Sequence, residues 1–217
     1  MAYPRLGDIL ANSITHGIGA ALAIVGATWL IATSTRGSAR LVVSCTIFSL
    51  SLVLVYLCST LYHSLTLTPA RDFFHILDHS AIYVLIAGTY TPFTLVSLRG
   101  ARGWVLFAVV WALAAIGIVS KSVFMKHFTH GLLAFVSTAV YLIQGWLAVF
   151  VIGPLINAIV WQGMLWLAAG GLAYTLGVIF YALDRRPYFH ATWHLFVLAG
   201  SVAHYFAILL YVVPSRA

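Results

Sequence analysis

Long apolar runs alternate with short polar breaks from one end of the chain to the other. Seven runs stand out, at about 14–33, 41–63, 73–98, 104–121, 132–152, 156–183 and 191–213. A helix needs about 20 apolar residues to cross a bilayer, and each run comes close to or exceeds that length. The breaks carry the punctuation expected of chain reversals: Arg36-Gly37-Ser38, Thr68-Pro69-Ala70-Arg71, Arg99 to Gly103, Gly153-Pro154, and Asp184 to Pro187. The fourth run is the shortest, and snorkelling of Lys121 extends it. The alternating pattern of a membrane barrel is missing. The pattern therefore predicts an all-α fold, a bundle of seven transmembrane helices forming a single domain over residues 1–217. The first run is longer than the core of a signal peptide and is preceded by Asp8 and Asn12, so it reads as a retained helix.

Composition supports the same reading. Hydrophobic residues make up 63% of the chain and charged ones 7%, too few polar groups to cover a soluble globule. The mean hydropathy is +1.04. The net charge of +7 could suggest nucleic acid, but the basic residues sit singly or in pairs between apolar runs. No basic face exists to neutralise phosphates, so nucleic acid is not an expected partner. Membrane lipid is. Cys45 and Cys58 fall in one run, about 20 Å apart on a helix, too far to bridge, and read as packing residues. Counting Lys and Arg on the two sides gives six against five, which leaves orientation open.

The nine histidines narrow the chemistry. Counting crossings puts His16, His63, His75, His79, His127, His130, His190 and His194 toward one membrane face, with His204 deeper. His190-x3-His194 places two imidazoles on one helix face, one turn apart. That spacing lets one helix offer two ligands to a metal, although interfacial side chains beside Tyr188 and Trp193 would show it too. Ser59-x3-His63 aligns a hydroxyl and an imidazole in the same way. Asp78 is the carboxylate placed well inside an apolar run. It requires a polar cavity, a cation, or pairing with Arg71 or His79. His75, His79, His127 and His130 read as loop-edge histidines that need no special role. His204 reads either as a site residue or as a buried hydrogen-bonding group. The Asp8-x3-Asn12-x3-His16 row either reaches the site or only favours a helix start through the dipole. Pro92 removes a backbone hydrogen bond and should kink the third helix, with a cavity opening beside Asp78.

Taken in order, Asn12 to Gly19, Ser59-x3-His63, Leu77 to Tyr83, Ala87 to Phe93 and His190-x3-His194 with His204 beyond it resemble the hemolysin III family. That family is the bacterial branch of the progestin and adipoQ receptor (PAQR) superfamily. The resemblance covers nearly the whole chain; Asp8 departs from it, standing where glutamate is common. It implies a Zn2+ ion held by His63, His190 and His194, with the catalytic residues Asp78 holding a water at the metal and Ser59 close by. It also implies a cytoplasmic N-terminus and a site in the cytoplasmic half of the bacterial inner membrane. Three functions stay open on this reading. One is a zinc-dependent intramembrane hydrolase acting on a lipid amide or ester, as in the ceramidase-like relatives. Another is a non-enzymatic membrane-homeostasis or sensor protein with structural zinc. The last is a pore-forming hemolysin, disfavoured by the scarcity of charges along any conduction path.

Overall fold

A computed structural model describes residues 5–66, 68–124 and 130–214, with the backbone alone at 124 and 130–134. Every regular element among the described residues is helical. The order is α1 (Leu6–Ser34), α2 (Ala39–Ser64), α3 (Arg71–Pro92) running into a π-helical turn (Phe93–Leu98), and α4 (Gly100–Phe124). After the residues outside the description come α5 (His130–Trp146) with a 3-10 segment (Leu147–Val151), then α6 (Ile152–Ala182) and α7 (Phe189–Tyr211). Six helical stretches among the described residues are long and apolar enough to cross a membrane. Large apolar side chains such as Val25, Trp29, Val105, Phe150 and Trp161 lie exposed on the outside, where lipid rather than water satisfies them.

The fifth of these stretches, Phe135–Ala182, is 48 residues long. As one straight helix it would extend about 72 Å, more than twice the hydrocarbon thickness. It does not run straight. Trp146 Nε1 donates to Thr175 Oγ1 at 3.1 Å, a pair that a continuous helix would hold about 44 Å apart. The chain therefore doubles back between them, and the break falls at Val160, where φ is 55° and ψ 174° inside α6. This differs from the reversal expected at Gly153-Pro154, both of which are helical. A proline in the first turn of a helix loses no hydrogen bond, so Pro154 starts α6 instead of breaking the chain. Two further boundaries move outward. The first helix begins at Leu6, so Asp8, Asn12 and His16 all lie on it, and the fourth runs to Phe124.

Pair contacts fix the directions of the helices. Gly17 meets Thr60 and Gly19 meets Tyr56, while Asp78 faces Ser59 and Gly88 meets Ser51, so α2 is antiparallel to both α1 and α3. His16 stacks on His194 while the Tyr205 hydroxyl donates to the Gly26 carbonyl, so α1 and α7 run parallel. Gly163, Gly170 and Gly177 of α6 pack on Tyr211, His204 and the Trp193/Phe196 pair of α7 respectively. Seven-residue steps up α6 meet partners that descend along α7, which makes this an antiparallel seam with glycine on the α6 side. In lipid, where apolar surface gains little by meeting apolar surface, such close backbone approach is a main source of helix affinity.

Pro92 does not end the third helix. The ring lacks an N–H, and the following residues widen into the π turn, a common way to absorb a missing ladder bond. The hydroxyls of Thr91 and Thr94 bond the carbonyls of Ala87 and Tyr90, respectively 2.9 Å and 2.9 Å away. Tyr90 anchors the 3-10 segment after α5: its hydroxyl donates to the Gly145 carbonyl at 2.7 Å and accepts from the Ala148 N–H at 2.8 Å.

Candidate metal centre

Two helix ends bring the site together. His63 lies in the last turn of α2, and His190 and His194 occupy the first two turns of α7. Their rings form a near-equilateral triangle, with centroids 4.9 Å apart for His63–His190, 5.0 Å for His63–His194 and 4.8 Å for His190–His194. One nitrogen from each lies within 4.8 Å of the other two. His63 Nε2 is buried and has no hydrogen-bond partner among the described residues. An orphaned imidazole nitrogen costs free energy unless something occupies its lone pair. Three neutral imidazoles around a common point suit a borderline-soft divalent cation. The arrangement is therefore one that could hold a metal ion.

The α7 histidines also meet groups outside the triangle. His194 Nδ1 lies 3.0 Å from Thr15 Oγ1 on α1, and His190 Nδ1 lies 3.8 Å from the Asp184 carboxylate. The start of α7 is itself pinned. Tyr188 takes a left-handed conformation at the N-cap, φ 62°, and its N–H donates to Asp8 Oδ1 at 2.7 Å. Asp8 thus reaches α7 as well as standing in the first turn of α1. His16 stacks on His194 with ring centroids 3.5 Å apart, and Asn12 is buried beside it on the same face of α1.

Asp78 and Ser59 line the same cavity as His190 and His194, and both are buried. The Ser59 hydroxyl faces the Asp78 carboxyl, and His79 Nδ1 lies 3.6 Å from Asp78 Oδ2. Lys121 was expected to snorkel outward; instead it is 4% exposed and acts electrostatically on Asp78. A positive charge enclosed in the same region lowers the cost of a buried carboxylate. The sequence gives little sign of this partner, because a lysine near a helix end ordinarily reaches for the interface. His79, weighed as a loop-edge residue, also lines the cavity, with Nδ1 donating to the His75 carbonyl at 3.1 Å. His75 stacks on Tyr62 instead. His130 opens α5, and His127 lies outside the described residues. His204 sits apart from the triangle, with Nε2 donating to the Leu167 carbonyl at 3.2 Å.

The cavity has a volume of about 260 Å³. Ser59, Asp78, His190 and His194 stand at one end, and Tyr90, Phe93, Leu98, Ile152 and Leu167 continue its wall toward the π turn. So the polar groups collect at one end of an apolar chamber, and the chamber reaches from Asp78 to the segment that follows Pro92.

Comparison with known proteins places the chain. A family model described as haemolysin-III related matches residues 9–205. The chain is 47% identical over 207 residues to Hemolysin-3 of Bacillus cereus, covering 95% of this chain and 92% of that protein. It is 48% identical over 205 residues to the Hemolysin-3 homolog of Bacillus subtilis strain 168, covering 94% of each. At greater distance it is 31% identical over 218 residues to the human monocyte to macrophage differentiation factor, covering 98% of this chain and 87% of that one. The last is a PAQR-type relative and bears out the superfamily. With a match that runs through almost every helix described above, the chain belongs to the hemolysin III family of membrane proteins.

Proposed function

We propose that this protein crosses a bacterial inner membrane seven times, with its N-terminus in the cytoplasm. It binds one zinc ion through His63, His190 and His194 and hydrolyses an amide or ester bond of a membrane lipid. The observation that carries the reading is the histidine triangle at the polar end of an apolar chamber that also exposes a buried carboxyl, Asp78. The seven passes are supported by the reversal between Trp146 and Thr175, which divides the 48-residue stretch into two crossings. The orientation and the compartment rest on the family resemblance.

Zinc bound there would acidify a water and polarise a substrate carbonyl. The chain's own groups do the rest. Asp78 orients the attacking water and accepts its proton, and the Ser59 hydroxyl holds the carboxyl in place. The apolar wall from Tyr90 to Leu167 takes the lipid chain and keeps bulk water from the reacting end. The protein should therefore contain close to one zinc per chain, lost in His190→Ala, and wild-type protein should release fatty acid from some member of a broad panel of lipid amides and esters. A zinc-loaded preparation that turns over none of them would sink the hydrolase reading.

One observation favours a second reading, in which zinc is structural and the protein senses its membrane without chemistry. The Ser59 hydroxyl, the His79 ring and the charge of Lys121 all act on the Asp78 carboxyl, so it does not need a reaction to account for its burial. Asp78→Asn separates the two. A hydrolase keeps its metal and loses turnover, whereas a structural site tolerates the change in every assay. The hemolysin names belong to the Bacillus relatives; single-channel recording of the reconstituted protein would test for a pore here.

A further inference from the structure

We propose that Thr15, on α1, is the positioning residue that fixes the tautomer of His194 and so aims its Nε2 lone pair at the metal. The inference rests on the metal-site reading above and adds a residue outside the three ligands. The argument is one of donor counting. A threonine hydroxyl has one hydrogen to give. Thr15 Oγ1 lies 2.8 Å from the Ala11 carbonyl and 3.0 Å from the Asn12 carbonyl, and carbonyl oxygens can only accept. With the hydrogen given to the backbone, the oxygen presents lone pairs to His194 Nδ1, at 3.0 Å, and the backbone of Asn12, in the same turn of α1, also bonds the His194 ring. In that arrangement Nδ1 is the protonated nitrogen. A neutral imidazole protonated on Nδ1 has its free lone pair on Nε2.

The position of Thr15 is well secured. It precedes His16, whose ring stacks on His194, and Asp8, two turns earlier on α1, holds the Tyr188 N–H. Since α1 and α7 run parallel, these contacts grip the segment of α7 that carries both His190 and His194. Ligand histidines commonly donate their second nitrogen to an outer group that sets tautomer and ring orientation, and loss of that group typically weakens metal binding by about 10–100-fold.

The test uses the full chain purified in nanodiscs as wild type, Thr15→Ser, Thr15→Val and His190→Ala. Zinc affinity is measured by competition with a chelator, and helical content and the thermal transition report on folding. Valine keeps the shape and removes the acceptor; serine restores it. Thr15→Val should bind zinc about 10–100-fold more weakly, with Thr15→Ser close to wild type. A Thr15→Val protein that folds and binds zinc as wild type does would overturn the role of Thr15 and leave the metal site standing. A wild type that binds no better than His190→Ala would overturn the site itself, and the inference with it. Should Thr15→Val fail to fold, nitrogen NMR of the metal-free wild type, with His194 assigned by its loss in His194→Gln, decides the matter. Protonation at Nδ1 upholds the inference, and protonation at Nε2 refutes it.

Discussion

The seam between α6 and α7 can be tested by one substitution made at two places. A Cβ added at Gly177 would meet Phe196 Cβ at 2.7 Å and Trp193 Cε3 and Cζ3 at 2.8 and 2.9 Å. One of these atoms belongs to the root of a side chain and cannot swing away, so the helices must separate. A Cβ added at Gly171, on the same helix, meets nothing within 4 Å. Replacing glycine by alanine in a helix interior favours the helix by about 0.8–1.0 kcal/mol at either position. Overpacking costs about 1–3 kcal/mol and applies at Gly177 alone. The difference in stability between Gly177→Ala and Gly171→Ala should therefore be about 1–3 kcal/mol, with the helix-propensity part cancelling. Reversible unfolding in mixed micelles measures it. The α7 face at stake carries Trp193, next to His194, so Gly177→Ala should also weaken zinc binding while Gly171→Ala leaves it alone. Equal stabilities for the two variants would show that α6 and α7 do not meet along this seam.

Four further outcomes follow from the contacts described. Tyr90→Phe strips a partner from both Gly145 and Ala148, and thermal unfolding should show a loss of about 1–3 kcal/mol for each group left unsatisfied. Val160→Gly relieves a β-branched residue at φ 55°, and because Val160 is half exposed the same assay should show a gain of about 1 kcal/mol. Asp8→Asn keeps an oxygen for the Tyr188 N–H and should bind zinc like wild type, whereas Asp8→Ala should bind it more weakly in the chelator competition. His63→Ala should lose zinc as His190→Ala does, while His204→Ala should keep it, because His204 bonds Leu167 away from the triangle.

Much of the architecture was legible because lipid imposes a simple rule. Backbone groups in hydrocarbon must bond within their own helix, so apolar runs of sufficient length read directly as helices. The rule does not say where a long run turns. Residues 153 and 154 carry the usual signs of a turn, Gly and Pro, yet proline at a helix start is as acceptable as proline after a helix end. The actual reversal uses Val160, a residue with no turn signature, and only the contact between Trp146 and Thr175 reveals it. The histidine triangle was legible only in part, for a related reason. Spacing of four places His190 and His194 on one face, but nothing in spacing can join them to His63, more than a hundred residues away. That step came from the family resemblance, and the geometry then brought the three rings within 5.0 Å.

Lys121 and the α1 row show what periodicity leaves out. A lysine near a helix end and an Asp-Asn-His row at helical spacing each have an ordinary interfacial explanation, and sequence alone gives it equal weight. Burial changes the balance. Lys121 is enclosed and acts on Asp78, while Asp8 holds the N-cap of α7 and His16 covers the face of His194. The polar residues of α1 and α4 thus surround groups supplied by α2, α3 and α7. A site with this construction depends on helix placement more than on any loop, since each of the three clustered histidines and Asp78 stands on a helix packed against others. Rigid helices hold such groups to tighter tolerances than loops do. The corollary is that a substitution far from the triangle, such as one in the glycine seam, should change metal affinity through the position of α7, whereas changes in the exposed segment between α6 and α7 should do so only through Asp184 and Tyr188.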